Sequence, residues 1–522
     1  MRRGSLAATA FAPGALTCSL LLAVVVTAAP GPPRAIATVR TWRERNESEI
    51  LREFAALLSI PNVASDSVNI RRNAELLRTM LTARGVNARL LEAPGSPPAV
   101  YGQILAPGAR RTLVFYAHYD GQPVVPRDWA GDPWRPVLRD RPLEEGGKEI
   151  PLPAPGQRAD PESRLYARAS GDDKAPIIAL LAALDALQAG HLPRTVNLKI
   201  FLEGEEEAGS PHLRSMLERH RETLKGDAWI FCDGPVHQSR RMQVAFGVRG
   251  TTGLELTVYG PARALHSGHY GNWAPNPIAR LTELLASLRD AEGVILIPGF
   301  DADVRPISTA ERAAMAAVPD PDSALREELE LGATEANGAR LIERVMLPAI
   351  NFRGVRAGGV GETATNSIPT EARASIDFRL VPDQTPAGVK AKVEDYLTSR
   401  GWHIVHSAPD AETRRRNAKV VRLDWGEGYP AYRVGLDAPF ARAVVQVMEE
   451  SLAGPVLRVP TLGGSLPLYL FQDVLGAPVI VLPIANHDDN QHAANENVRL
   501  QNLWDGVEVY AGLLTRLGPL WR

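Results

Sequence analysis

The chain has 522 residues, a formal net charge of −2 and 23% charged residues. This length exceeds what one hydrophobic core supports, so we expect two or more domains. The near-neutral charge argues against nucleic acid or an acidic membrane surface as a partner, and the hydrophobic content of 45% is that of an ordinary globular protein.

Residues 1–37 have the pattern of an export signal. Arg2 and Arg3 precede an apolar run over residues 15–29, and residues 35–37 (Ala-Ile-Ala) offer a small-x-small cleavage site. We therefore expect an exported protein, either periplasmic or secreted. An uncleaved membrane anchor is the alternative, although the apolar run is short for a membrane span.

Residues 41–241 alternate helical and strand patterns and form the first part of a predicted catalytic domain. Helical spacing of apolar residues predicts helices in "SEILREFAALLSIP" and "NIRRNAELLRTMLTARG", followed by strands at "NARLLE" and "AVYGQIL". The buried strand "RTLVFYAHYD" precedes the helix "APIIALLAALDALQAG" and the strands "TVNLKIFLEGEEE" and "DAWIFCDG". This order predicts an α/β fold with a mostly parallel sheet, in which ligands gather at the carboxyl ends of the strands.

The pattern changes over residues 242–434, where longer and more alternating strands such as "MQVAFGVRGTTGLELTVYG" and "EARASIDFRLVP" accompany two helices. Two strand-helix-strand units of this kind predict an inserted α+β domain of the ferredoxin-like type, with a partly helical stretch near residues 301–337. The α/β pattern returns over residues 435–522 as the second part of the catalytic domain. The Pro/Gly-rich residues 146–156 are predicted to form a loop.

Five clusters of acidic and imidazole side chains accompany the predicted strands. They are His118 and Asp120; Asp172 and Asp173; Glu203, Glu205, Glu206 and Glu207; Asp233; and His487, Asp488, Asp489 and His492. Each cluster alone has an ordinary explanation, such as a helix cap or a solvated helix start. At strand ends of one sheet they would converge, and two carboxylates about 4 Å apart repel by roughly 4 kcal/mol at an effective dielectric near 20. Two divalent cations would remove that cost, and this mixture of ligands suits zinc.

Eight motifs occur in the order found in the dinuclear-zinc exopeptidases. They are "YAHYDGQP", "LYARASGDDKAP", "EGEEEAGS", "FCDG", "LHSGHYG", "FRLVP", "GGSLP" and "DDNQHAANE". From about residue 45 to the C-terminus the chain resembles this family, which includes carnosinase-like dipeptidases, bacterial glutamate carboxypeptidase, aminoacylases and succinyl-diaminopimelate desuccinylase. The glutamate and DDK motifs are most similar to the carnosinase-type branch.

The resemblance implies two zinc ions per chain, with manganese or cobalt as alternatives. The implied ligands are Asp172 as a bridge, His118 and Asp233 at one ion, and Glu207 and His492 at the other. Glu206 would be the general base for a metal-activated water. Asp120 would accept a hydrogen bond from His118 and fix its tautomer. The peptide bond after the bridging aspartate is often cis in this family, and we expect the same here.

The resemblance also implies residues outside the metal cluster. His266 in "LHSGHYG" would reach the active site of a second subunit and stabilise the tetrahedral oxyanion, which implies a homodimer through the inserted domain. His269 is the competing candidate for that role. Arg379, Asn366 and Ser465 match substrate-binding positions, and a guanidinium suits a substrate carboxylate.

Some positions depart from the family pattern. Ala167, Ala169 and Ala175 stand where relatives usually carry glycine, and Leu462 precedes "GGSLP" where carnosinase-like dipeptidases tend to have Arg-Glu. These departures leave the identity of the substrate open, whereas the predicted type of reaction is unchanged by them. Glu203 and Glu205 are expected to be ordinary carboxylates of a strand end or a solvated helix start.

The sequence therefore predicts a zinc-dependent exopeptidase that hydrolyses dipeptides or short peptides. An N-acyl-amino-acid amidohydrolase is the first alternative, because it needs the same metal centre and differs only in what fills the pocket. The second alternative is an inactive peptide-binding homologue. Retention of Glu206 argues against that alternative.

Overall fold

A computed structural model describes residues 33–522. Residues 1–32, which include most of the predicted export signal, lie outside the described part. The first helix begins at Arg34, so the predicted cleavage site at residues 35–37 falls in its first turn. Within residues 33–522, no helix has both the length and the apolar character needed to cross a membrane.

The secondary structure of residues 33–522 follows the predicted alternation of helices and strands. The α-helices are α1 Arg34–Leu58, α2 Ser67–Ala83, α3 Lys174–Ala189, α4 Leu213–Arg219, α5 Arg221–Leu224, α6 Ser267–Tyr270, α7 Pro277–Leu288, α8 Thr309–Ala317, α9 Asp322–Glu328, α10 Leu341–Arg344, α11 Pro386–Ser399, α12 Ala411–Arg416, α13 Pro439–Leu452 and α14 Leu500–Leu520. The strands are β1 Asn87–Leu91, β2 Ala99–Ile104, β3 Thr112–His118, β4 Val137–Arg139, β5 Glu149–Ile150, β6 Arg164–Tyr166, β7 Asn197–Glu203, β8 Ala228–Phe231, β9 Gln243–Ala245, β10 Gly247–Val248, β11 Gly250–Tyr259, β12 Leu265–His266, β13 Ala349–Arg356, β14 Ser367–Ile368, β15 Glu371–Leu380, β16 His403–Val405, β17 Val420–Trp425, β18 Tyr432–Arg433, β19 Leu457–Val459, β20 Val479–Val481 and β21 Asn497–Arg499.

The main sheet has eight strands in the order β1-β2-β7-β3-β8-β20-β9-β19. Strands β7, β3, β8 and β20 are parallel neighbours at its centre, whereas β1 and β2 extend one edge in antiparallel fashion. The apolar helices α1, α3 and α14 pack together and share one buried core with the sheet. The predicted catalytic domain is therefore confirmed as an α/β domain whose central strands are parallel.

The inserted domain is a five-stranded sheet in the order β13-β15-β11-β17-β16. The ladders joining β13, β15, β11 and β17 are all antiparallel. Leucines of α7 and valines of α11 pack with the sheet in a second core. The chain order β11-α7-β13-β15-α11-β17 is the predicted ferredoxin-like arrangement. Strand β9 still belongs to the main sheet, so the change of sheet falls between Ala245 and Gly250, just after the predicted boundary at 242.

A small four-stranded sheet, in the order β21-β6-β4-β5, was not predicted. Its strand β5 lies inside residues 146–156, so the prediction of a loop there was wrong in part. Strands of two or three residues are too short to show a period-2 pattern. This sheet pairs β6 with β21 and thereby joins the segment that precedes "ASGDDKAP" to the segment that follows "DDNQHAANE".

Candidate metal centre

The central parallel strands bring the predicted polar clusters to one edge of the main sheet. His118 is the last residue of β3 and is paired in register with Glu203, the last residue of β7. Asp233 follows β8, the other neighbour of β3, by two residues. Because parallel strands end at the same edge, these side chains meet there, as the sequence predicted.

Six side chains form two triplets in which one ligand atom of each residue lies within 4.8 Å of the other two. The triplets are His118, Glu206 and Asp233, and Asp172, Glu207 and His492. Asp172 faces both groups: its Oδ1 is 2.8 Å from His118 Nε2, and its Oδ2 is 3.2 Å from His492 Nε2. One carboxylate therefore lies between two histidines that belong to different triplets.

The adjacent residues Glu206 and Glu207 point to different triplets. Glu207 Oε2 is 3.2 Å from His492 Nε2 and accepts a 2.8 Å hydrogen bond from Gln122 Nε2. Glu206 Oε2 is 4.0 Å from His118 Nε2. Glu207 therefore has the closer contact to an imidazole nitrogen, while Glu206 stands at a greater distance from one.

Asp120 fixes the backbone that carries these two glutamates. It is fully buried, and its two carboxylate oxygens accept hydrogen bonds from the backbone N–H groups of Glu206 (3.1 Å) and Glu207 (3.0 Å). Its Oδ1 is also 3.3 Å from His118 Nδ1. The carboxylate thus holds the backbone of both glutamates, and the Asp120 backbone oxygen lies 3.2 Å from His118 Nδ1. The expected role of the Asp120 carboxylate in fixing the tautomer of His118 stays a prediction.

The cluster contains more buried carboxyl groups than can all be ionised at the same time. Burial, with the charge of Asp172, raises the pKa of Asp233 to about 7. Burial also raises the pKa of Glu206 well above its usual value, with Asp233 adding to the shift. Hydrogen bonds to Asp172 and Glu207 raise the pKa of His492 to about 10. Buried carboxylates that cannot all ionise, beside two imidazoles, are a donor set that fits divalent cations such as zinc.

The loop carrying Asp172 is held by residues to which the sequence assigned no role. Glu496 accepts hydrogen bonds from the backbone N–H groups of Ala169, Gly171 and Asp172 at 2.9–3.0 Å, and Gln491 Nε2 donates to Asp172 Oδ2 at 2.7 Å. Both residues lie in "DDNQHAANE", so the motif contained them but showed no reason to single them out. The peptide bond between Asp172 and the next residue is cis, as expected.

Glu203 ends strand β7, as expected for a strand-end carboxylate, but the alternative of a solvated helix start was wrong, because neither Glu203 nor Glu205 is solvated. Both are 4% exposed. Glu203 accepts a 2.7 Å hydrogen bond from the Tyr116 hydroxyl, and burial raises its pKa to about 7. Glu205 accepts a 3.1 Å hydrogen bond from the backbone N–H of His212. A distant partner of Glu203, Tyr116, and a nearby partner of Glu205, His212, allow both carboxyl groups to be buried.

Two of the predicted substrate-binding residues meet across the two domains. Arg379 on β15 donates from Nη1 to Ser465 Oγ (2.8 Å) and from Nε to Asp377 Oδ2 (2.8 Å). Tyr429 connects this pair to the metal cluster: burial, followed by the charge of Glu206, raises its pKa to about 12, while Arg379 opposes the shift. The charges of Glu206 and Arg379 therefore both act on the Tyr429 hydroxyl, an effect that its sequence context did not reveal.

His266 and Asn366 lie together in the inserted domain but apart from the cluster. They are on or beside the short β12–β14 ladder, where the N–H of Ser267 donates to Asn366 O at 2.9 Å. Both are exposed, and the ring of His269 is 4.5 Å from that of His266. Within residues 33–522, neither His266 nor Asn366 forms a hydrogen bond or ion pair with the six clustered residues.

Two neighbouring triplets of imidazole and carboxylate ligands, with the Asp172 carboxylate facing a histidine of each, lie at the carboxyl edge of an α/β sheet. This arrangement is typical of two-metal hydrolase sites. The family model of peptidase family M20/M25/M40 matches residues 114–516. The chain therefore belongs to this peptidase family, and the predicted fold and enzyme class are confirmed.

Relatives and solved structures agree with this assignment. The chain is 25% identical over 443 residues to the Cys-Gly metallodipeptidase DUG1 of Saccharomyces cerevisiae, covering 80% of this chain and 82% of that one. It is 24% identical over 529 residues to the Beta-Ala-His dipeptidase of Homo sapiens, covering 96% of each. The crystal structure of an M20 metallo-carboxypeptidase from Sulfolobus solfataricus is similar with a TM-score of 0.71 and 25% identity, covering 90% of this chain and 99% of that one.

Proposed function

We propose that the protein is a zinc-dependent exopeptidase that hydrolyses dipeptides or other short peptides. The observation that carries this proposal is the position of Asp172, whose two oxygens face His118 and His492 in separate triplets. The names of the similar dipeptidases support the substrate class. The mixture of imidazole and carboxylate donors favours zinc, with manganese or cobalt as alternatives.

The proposed ligands follow the two triplets, with Glu206 set aside as the base. They are His118 and Asp233 for one ion, Glu207 and His492 for the other, and Asp172 for both. Two bound cations would polarise the substrate carbonyl and lower the pKa of a water molecule. Glu206 accepts the proton of the attacking water and passes it to the leaving amine. Burial raises the pKa of Glu206 above its usual value, a shift that favours holding the proton before it passes to the leaving amine.

Substrate binding is proposed for Arg379 and Ser465, with Asn366 contributed by the inserted domain. The Arg379 guanidinium is anchored by Asp377 through Nε, so its Nη atoms are oriented. A substrate carboxylate can be gripped by such a guanidinium in two-pronged fashion. Ser465 Oγ accepts a 2.8 Å hydrogen bond from Arg379 Nη1, so the Ser465 hydroxyl would lie next to a carboxylate bound by Arg379.

The two adjacent glutamates offer a matched test of this mechanism. In Glu206→Gln the metals should stay and turnover should fall by about 10²–10⁴-fold, the usual contribution of a general base. In Glu207→Gln the metal content should fall, because this carboxylate contacts His492. Metal analysis and kinetics on both variants test the assignment of Glu206 as the base and Glu207 as a metal ligand. Near-normal turnover in Glu206→Gln, or metal loss in that variant alone, contradicts this assignment.

The substrate class is tested with a panel of dipeptides, tripeptides and N-acyl amino acids on the metal-loaded protein. We expect dipeptides to be hydrolysed with the highest kcat/KM. Faster hydrolysis of N-acyl amino acids would instead support the amidohydrolase alternative. Absence of all amide hydrolysis, with both metals present, would support a peptide-binding protein.

We further propose a homodimer through the inserted domain, in which His266 acts in the partner's active site. Strand β13 is an edge strand, and its residues 351–356 are exposed, including Phe352 at 40% and Val355 at 60%. An exposed apolar edge strand is a natural pairing surface. The exposure of His266 and its separation from the metal cluster of its own chain are consistent with action in trans.

Mixing two inactive variants tests this arrangement. In a dimer of Glu206→Gln with His266→Ala, one of the two sites combines an intact Glu206 with an intact His266. Random mixing of equal amounts should therefore restore about a quarter of the wild-type activity. No recovery after subunit exchange, or a monomer in light scattering, contradicts the proposal.

Export also remains a proposal, supported by the apolar run and small-x-small site of the sequence. N-terminal sequencing of the protein recovered from its native cell tests it. A mature N-terminus near residue 38 outside the cytoplasm is expected, whereas an intact N-terminus on membranes would support the anchor.

A further inference from the structure

A cavity of about 380 Å³ lies in the inserted domain. Its walls are formed by α9 and the segment that follows it, by the end of α7 and by the start of β13. None of the six clustered residues lines it, nor do Arg379 and Ser465. Its volume is within the usual range for small-molecule sites.

Arg249, which lines this cavity, is a buried guanidinium with few partners. Its residue is 7% exposed. Within residues 33–522 its side chain donates one hydrogen bond, from Nη2 to Leu347 O at 3.0 Å, and its Nε is buried without a partner. Burial of a cation without a paired anion is costly. The cost is visible in its pKa, which burial lowers to about 10, with the charge of Arg379 adding to the shift.

The nearest acid does not neutralise this group. Asp377 raises the pKa of Arg249 through its charge, but its oxygens already accept hydrogen bonds from Arg379 (2.8 Å) and Thr251 (3.2 Å). Arg344, which also lines the cavity, lowers the pKa of Arg249 and has no acidic partner among residues 33–522. Two guanidiniums therefore face the cavity without a neutralising carboxylate.

Of the remaining charged groups of the wall, Arg289 and Glu335 are paired with each other, whereas Arg326 and Asp322 form hydrogen bonds with the backbone. Arg289 forms a 2.5 Å ion pair with Glu335. Arg326 donates to Gly332 O at 2.9 Å, and Asp322 accepts a 2.9 Å hydrogen bond from the N–H of Leu341. The cavity is lined by four arginines, Arg249, Arg289, Arg326 and Arg344, and by two acids, Asp322 and Glu335, so its charge balance is positive.

Leucines complete the wall. Three of the lining leucines are exposed: Leu329 at 58%, Leu331 at 45% and Leu341 at 52%. Exposed leucines gathered at one cavity, beside guanidiniums that lack an anion, call for a ligand with both an apolar and an anionic part. A single inorganic anion would leave the leucines exposed.

We propose that this cavity binds a carboxylate that carries an apolar chain, with its carboxylate on Arg249 and Arg344 and its chain against the leucines. A carboxylate that enters the cavity can accept hydrogen bonds from the guanidiniums of Arg249 and Arg344, which both line it, and charge-assisted bonds of this kind are strong. The lining of the cavity shares no residue with the metal cluster or with Arg379 and Ser465, and no metal takes part in the proposed contact.

The test is isothermal titration of the full-length, metal-loaded protein with octanoate, with octan-1-ol and acetate as comparison probes. Octanoate should bind at one site per chain and at least tenfold more tightly than either probe, because each probe offers only one of the two required parts. Arg344→Gln and Leu329→Asp should each weaken octanoate binding about tenfold or more. Arg353→Gln is the matched control, because this exposed arginine of β13 is paired with Glu255 and does not line the cavity. The affinity of this variant for octanoate should equal that of the wild type.

The substrate site is the competing location for octanoate. Arg379→Gln should lose peptidase efficiency and keep octanoate binding. If octanoate binding disappears in Arg379→Gln and persists in Arg344→Gln, the ligand lies in the substrate site and the proposal is wrong. Equal affinities for octanoate in wild type, Arg344→Gln and Leu329→Asp also overturn it.

Discussion

Replacing Asp120 by asparagine tests how the metal centre is positioned. The wild-type carboxylate accepts one backbone hydrogen bond on each oxygen, from Glu206 and from Glu207. Asparagine has a single oxygen, and its amide nitrogen would face the second N–H group as another donor. The substitution hardly changes volume, so packing is not the cause of the expected effect.

The expected magnitude follows from the lost hydrogen bond. A buried N–H group left without a partner costs about 1–3 kcal/mol. The backbone of Glu206 and Glu207 should therefore shift to recover that bond, and the contact between Asp120 and the His118 ring should weaken with it. Metal affinity should fall about 10–100-fold, as it does when carboxylates that orient metal ligands are removed; this range equals about 1.4–2.8 kcal/mol.

A chelator competition assay measures this change as the apparent Kd for zinc. Asp128→Asn is the control, because Asp128 is an exposed acid in the same part of the chain. At saturating metal the activity of Asp120→Asn should recover in part, since the ligands and Glu206 remain. An affinity within about twofold of wild type would show that Asp120 does not position the ligands.

Two further predictions concern stability, measured by urea unfolding of the metal-free protein. Burial raises the pKa of Asp505 to about 6, above its unfolded value of about 3.9, so its ionisation destabilises the fold as pH rises through 6. Asp505→Asn should be more stable than wild type by up to about 3 kcal/mol at pH 7.5 and by little at pH 4. An equal difference in stability at both pH values would contradict the raised pKa of Asp505 in the folded protein. Ala169 has φ +65°, so Ala169→Gly should stabilise by up to about 1 kcal/mol; a clear loss of stability would show that its methyl group contributes packing.

The metal cluster was predictable because its residues follow long, regular elements. His118 and Asp233 come at or just after the carboxyl ends of neighbouring parallel strands, and each strand is apolar enough to be recognised. Convergence then follows from the geometry of parallel sheets. The family motifs added a prediction of which member of each cluster binds metal, a choice that periodicity alone did not make between Glu206 and Glu207.

Long-range partners were not predictable. The burial of Glu203 depends on Tyr116, 87 positions earlier, and the Asp172 loop depends on Glu496, more than 320 positions later. Lys174 is fully buried and donates to Asn73 Oδ1 at 2.7 Å, although its motif alone would suit a surface helix start. Such pairings depend on tertiary packing, which local pattern does not contain.

The central claim is that Asp172 joins two metal sites. Metal analysis of the purified protein after dialysis against zinc measures it most directly, with Asp172→Ala as the variant and the base substitution Glu206→Gln as the control. We predict close to two ions per chain in wild type and in Glu206→Gln, and fewer than one in Asp172→Ala, because both sites lose a ligand. A single ion in wild type, or two ions retained in Asp172→Ala, would contradict the account.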